Sequence, residues 1–125
     1  MELTLKEYQQ KAMTTCMESS NNFGYMFLNL VGEVGELASK VAKAIRKEKV
    51  TINDNQLVFN EFPTCIEDEE ALMLEAGDVL WQLSGLCSVM GWDLERVGQM
   101  NLDKLAARKA VGTIDGNGDG IERSK

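Results

Sequence analysis

The chain contains no histidine. That excludes Ser-His-Asp and Cys-His nucleophilic sites in their usual form, which need imidazole as the base. It also excludes the Glu-x-x-His di-iron bundles and the His-ligated zinc hydrolases. An active site here must be built from carboxylates, lysines, arginines and hydroxyls, and acid clusters that hold a hard, oxygen-preferring cation lead that list. Proline occurs once, at Pro63, and strand-type alternation is scarce, so the chain reads as mainly helical. The three cysteines, Cys16, Cys65 and Cys87, are odd in number and form no C-x-x-C pair. Free thiols in a reducing compartment are expected. No apolar run approaches the roughly 20 residues that span a bilayer, and "MELTLKEYQQ" has no charged-then-apolar export signal. A soluble, cytoplasmic protein with no membrane partner is the expectation. Positive charge is also short, 13 Lys and Arg against 20 Asp and Glu, for a net charge of −7. Such a surface does not bind nucleic acid by neutralising phosphates. A small phosphorylated substrate remains open, because a bound cation supplies positive charge locally.

At 125 residues the chain is long enough for one domain with a sizeable core. "TLKE" at 4–7 has the form of a capping box and predicts a first helix running to about residue 18. Phe27, Leu30, Val34, Leu37, Val41, Ala44 and Ile45 form one helical stripe within a second helix, 23–47. Residues 48–66 break the pattern and read as a long connection with at most a short turn of helix. A third helix is predicted from about Ile66 to Met90, ended by Gly91, and a fourth over 94–110, capped by Asp93 and ended by Gly112. The expected fold is all-α: a four-helix bundle-like domain over 1–112, then a glycine-rich tail over 113–125. "VLWQLSGLCSVM" at 79–90 is apolar nearly all round, so that helix is expected to be covered on more than one side. In so short a chain the second cover is expected from another subunit.

Two acid pairs sit at the margins of the apolar helices. "GEVGELASK" (32–40) holds Glu33 and Glu36, and "EAGDVLW" (75–81) holds Glu75 and Asp78. Helical residues three apart are surface neighbours, so each pair can present its carboxylates to a common point. If the two helices pack side by side, four anions meet, and a cation must offset their repulsion. Mg²⁺ matches that donor set, keeping waters and phosphate oxygens as its other ligands. Taken singly, a Glu-x-x-Glu is more often just the solvated edge of an amphipathic helix.

The ordered set of motifs goes further than spacing. "LVGEVGELASKVAKAIRK" followed by "LMLEAGDVLWQL" and then N-x-x-K-L-x-x-R resembles the MazG-like nucleotide pyrophosphohydrolases of the all-α NTP pyrophosphatase superfamily. The likeness covers roughly 23–47 and 72–123. It implies a homodimeric or homotetrameric helical bundle that hydrolyses nucleoside triphosphates, NTP or dNTP, to monophosphate and pyrophosphate with Mg²⁺, in the manner of nucleotide-pool house-cleaning. It also implies that Glu33, Glu36, Glu75 and Asp78 ligate the metal and carry catalysis, and that Asn101, Lys104 and Arg108 hold phosphates or sugar. Trp81, on a face away from the main stripe, is the aromatic candidate for stacking on the base. Two departures stand out: Gly32 replaces an acid found in the fullest family motif, and the stretch 37–74 is longer than usual. Both bear on substrate choice more than on chemistry.

Two rival functions remain in view. "DGNGDG" at 115–120 resembles the opening of a calcium loop, but no helical pattern follows it. A non-catalytic acidic oligomer serving as an adaptor would use the same carboxylates only for solvation. Base and sugar preference, the identity of the general base, the choice between dimer and tetramer, and the role of the tail are not legible.

Overall fold

A computed structural model describes residues 2–60 and 66–112. Cys65, the tail and its "DGNGDG" motif lie outside these residues. Four helices dominate, as expected: α1 (Leu5–Met13), α2 (Phe23–Arg46), α3 (Ile66–Val89) and α4 (Leu94–Ala110). A 3₁₀ turn, Glu18–Ser20, links α1 to α2, and two short strands, β1 (Val50–Asn53) and β2 (Gln56–Phe59), link α2 to α3. No helix among the described residues is long and apolar enough to cross a membrane.

The helix ends follow local chemistry. Thr4 and Glu7 form the reciprocal capping box at the start of α1. Asn22 caps α2 by accepting from the Tyr25 amide at 2.8 Å, and Asp93 caps α4 by accepting from the Glu95 amide at 2.9 Å. At the end of α3, Gly91 takes φ +74, a left-handed conformation that glycine adopts without steric penalty. There the Trp92 amide donates to Cys87 O and the Gly91 amide to Ser88 O, the paired bonds of a Schellman motif.

Two expectations need correction. α1 stops at Met13, well short of residue 18. The Thr14 and Thr15 hydroxyls turn back to Lys11 O and Ala12 O at 2.6 Å, and Ala12 O also accepts from the Trp81 indole at 3.2 Å. Carbonyls that would continue the helix are thereby taken. The stretch 48–66 is also more than a connection. Val50 pairs with Phe59 and Asn53 with Gln56 in an antiparallel hairpin. Asp54 and Asn55 both have positive φ, 50° and 62°, as a two-residue type I′ turn requires.

The main packing is α2 against α3, antiparallel. Met26 and Val50 are essentially sealed from solvent, with Cys87 and Leu94 nearly so. A Cβ on Gly85 would overlap Met26 Sδ, so the two helices approach closely there because Gly85 has no side chain. One turn along, Asn29 donates to the buried Gln82 at 2.8 Å. Between these two contacts, three residues forward on α2 match three residues back on α3. The register is thereby set.

Candidate active site

Continuing in that register, the next turn of α2 brings Glu33 to the acids of α3. One carboxylate oxygen each from Glu33, Glu75 and Asp78 lies within 4.8 Å of the others. Glu33 and Glu75 are half-buried and Asp78 is exposed, so solvent reaches the group. Glu36 is exposed and stands outside this trio, one helical step from Glu33. Thus three of the four acids singled out from sequence converge and the fourth sits at their rim.

The crowding has an electrostatic signature. Burial raises the pKa of Glu33 above the usual carboxylate value, and the negative charges of Asp78, Glu75 and Glu36 push it further up. Three oxygen donors of like charge, one of them reluctant to ionise, form the donor set of a hard divalent cation. Thiol and imidazole are absent from the group, which disfavours softer metals. The residues therefore fit a hard divalent cation.

Neighbours that motif reading did not single out complete the surroundings. Lys40, two turns along α2 from Glu33, places its ammonium 3.9 Å from Glu75. Tyr8 on α1 has its phenol pKa raised by burial and by the charge of Asp78, so it faces the cluster as a neutral hydroxyl. Asn29, one turn before Glu33, reaches Gln82 and, at 3.4 Å, the Tyr25 hydroxyl. Helical spacing held a cue for Lys40 and Asn29, which fall on the Glu33 side of α2. Nothing in the sequence pointed to Tyr8.

The remaining expected site residues are placed as follows. The Trp81 indole N–H donates to Ala12 O and to Thr15 Oγ1 at 3.0 Å, tying α3 to the end of α1. On α4, Asn101 is exposed, Lys104 is half-buried and Arg108 is buried, so this row runs from solvent into the protein body. Asn101 and Lys104 make no side-chain hydrogen bond or ion pair among the described residues, and α4 packs chiefly against α1. Cys16 and Cys87 are free thiols, and burial raises the pKa of Cys87.

Fold and site together define a class: an all-α protein in which two antiparallel helices present an acidic trio that solvent reaches. Comparison with known sequences makes the assignment specific. The MazG nucleotide pyrophosphohydrolase domain model matches residues 22–112, and the chain belongs to that family. It is also 35% identical over 102 residues to the Gene 37 protein of Mycobacterium phage L5, covering 82% of this chain and 79% of that one. No solved structure matches it.

Proposed function

We propose that the protein is a Mg²⁺-dependent hydrolase that converts nucleoside triphosphates, ribo- or deoxyribo-, to monophosphate and pyrophosphate, and that it clears the cytoplasmic nucleotide pool. The observation that carries this is the convergence of Glu33, Glu75 and Asp78 in a chain of the MazG family. Those three, with Glu36 at the rim, would hold the cation, which when bound neutralises phosphate charge and relieves the repulsion among the carboxylates.

The side chains divide the remaining work. Glu36 or a neighbouring acid of the cluster is the base: its carboxylate takes a proton from the attacking water as the water oxygen bonds to the α-phosphorus. The bond from that phosphorus to the bridging oxygen breaks in line, and pyrophosphate leaves with the electron pair. Tyr8, neutral beside Asp78, offers a hydroxyl donor to the same cluster. Asn101, Lys104 and Arg108 hold phosphates or sugar. Trp81 acts by holding α1, and with it Tyr8, against α3. The working unit is a homodimer or homotetramer.

The test is product analysis with a panel of NTPs and dNTPs plus Mg²⁺. Pyrophosphate is expected. Orthophosphate would indicate a different hydrolase, and no product with any nucleotide would favour a non-catalytic adaptor. Glu36→Gln and Asp78→Asn are each expected to abolish turnover with helical circular dichroism unchanged.

A further inference from the structure

A concave surface of the opposite sign lies further along α2. A pocket of about 210 Å³ opens between the C-terminal half of α2, the hairpin and the start of α3. Four lysines line it: Lys40, Lys43 and Lys47 from one face of α2, and Lys49 from the residue before β1. Val50 and Phe59, paired across the hairpin, supply an apolar wall. Among its described lining residues the one carboxylate is Asp68, which accepts from Lys49 at 2.8 Å. In a chain of net charge −7, four cations around one anion run against the overall sign. Lys43 and Lys47 leave α2 about 15 and 21 Å beyond Glu33 along the helix axis. The pocket is therefore separate from the trio.

Two simpler accounts of these lysines fall short. Basic residues suit the dipole in the last turn of a helix, yet Lys40 stands before the last turn of α2. Solvated lysines three and four apart on one face repel one another and weaken the helix slightly. Among the described residues, Lys43 and Lys47 have no carboxylate partner to relieve that repulsion. An anion in the pocket relieves it. The dimensions narrow its chemistry. The volume falls below the roughly 300–1,000 Å³ of sites for drug-sized ligands, so a whole nucleotide is too large. Lys40 and Lys47 leave the helix about 10 Å apart along its axis, too far for one compact anionic group to engage both ends. A ligand with a charge at each end of a short apolar body fits, the body lying along Val50 and Phe59. Carboxylate is the anion the pocket already holds, in the form of Asp68. Lys40 also joins the pocket to the trio: it lines the pocket, and its ammonium stands 3.9 Å from Glu75. A pair of that length, open to solvent on the lysine side, is readily broken.

We infer that this pocket binds a small dicarboxylate, and that the bound anion draws Lys40 off Glu75 and so tightens the cation at the trio. Binding stands on the pocket alone, whereas the coupling rests on the reading that the trio holds a cation. The sign follows from charge. With Lys40 turned into the pocket, Glu75 loses a positive neighbour and the trio attracts a cation more strongly. Conversely, a cation at the trio repels Lys40 toward the pocket and strengthens the anion site by the same factor. Lys40 is the shared element, and neither ligand enters the other's site.

The test is titration calorimetry of the full chain with glutarate as the dicarboxylate probe, first without Mg²⁺ and then at matched free Mg²⁺. Without Mg²⁺, glutarate should bind saturably, with acetate and inorganic pyrophosphate weaker by about tenfold or more. Lys43→Gln/Lys47→Gln should weaken glutarate about tenfold or more. Glutamine keeps the helix propensity of lysine, so circular dichroism and Tm are expected to hold. Lys43→Arg/Lys47→Arg, which retains both charges, should recover most of the affinity. Saturating Mg²⁺ should tighten glutarate about two- to fivefold in wild type, and glutarate should tighten Mg²⁺ by the same factor. In Lys40→Gln that coupling should vanish while glutarate still binds. No saturable glutarate binding, or binding unchanged in Lys43→Gln/Lys47→Gln, overturns the site. Pyrophosphate that binds more tightly than glutarate overturns the dicarboxylate assignment. Coupling absent from wild type, or kept in Lys40→Gln, overturns the role of Lys40. Wild type that binds glutarate but no Mg²⁺ sinks the cation reading of the trio, a separate outcome.

Discussion

At the scale of single residues, Glu33 carries the tension of the site. An acid whose pKa is higher folded than unfolded binds more protons in the native state, so stability falls as pH rises between the two values. For Glu33 that window opens near 4.5 and extends upward to its raised folded value. Above it, the cation-free protein bears the full repulsion of the trio. A divalent cation binds only ionised carboxylates and competes with protons for them. Added Mg²⁺ should therefore raise Tm more at pH 7 than at pH 5, by calorimetry. A Mg²⁺ shift of equal size at both values would mean that the trio does not hold the ion. Glu33→Gln removes one charge from the cluster, and the cation-free variant should melt about 2–5 °C higher than wild type while losing turnover. A lower Tm would show that the carboxylate is not under strain.

Among the elements, the site depends on register. Glu33 meets Asp78 because Met26 seats against Gly85 and Asn29 bonds Gln82. Asn29→Ala leaves the buried Gln82 oxygen without its donor and should cost about 1–3 kcal/mol in urea unfolding. Gly85→Ala drives a methyl into the sealed Met26 side chain and should cost about 1–3 kcal/mol. Adding Met26→Ala should return part of that second loss, because the two changes share one contact. Simple additivity would show that the overlap is not felt. The same elements show how far the sequence could be read. Caps and stops were legible at Thr4, Asp93, Gly91 and Gly112, because each acts within a turn of its own position. Spacing put the acids on helix margins, but which helices meet, and at what offset, is decided by long-range contacts such as Asn29–Gln82. The hairpin escaped because its turn is Asp54-Asn55 without glycine, although Val50, Thr51 and Ile52 are β-branched. Nothing local showed that α1 would end early against Trp81, whose indole N–H donates to Ala12 O.

For the molecule as a whole, the arrangement leaves the apolar stripe of α2 only partly used. α3 packs on the side of α2 that carries Met26, Asn29 and Glu33, at the stripe's edge. Phe27, Val31, Val34 and Ile45 remain 43–61% exposed, and Phe23 and Phe27 stack on each other at 5.6 Å with both rings open to solvent. On α3, Met73 and Leu74 are 65% and 74% exposed. Monomers rarely leave contiguous apolar surface on this scale uncovered. A second copy is the economical cover, since a two-fold axis buries the same stripe from both partners at once. Sedimentation at micromolar concentration should then give a dimer or tetramer, and Tm should rise with protein concentration. Phe27→Ser/Val31→Ser changes only exposed side chains. If the stripe is the interface, it shifts the sedimenting species toward monomer, with loss of the concentration dependence. Wild type that sediments as a monomer, with a Tm independent of concentration, would leave the exposed stripe without this explanation. The acidic trio would then have to work within a single chain.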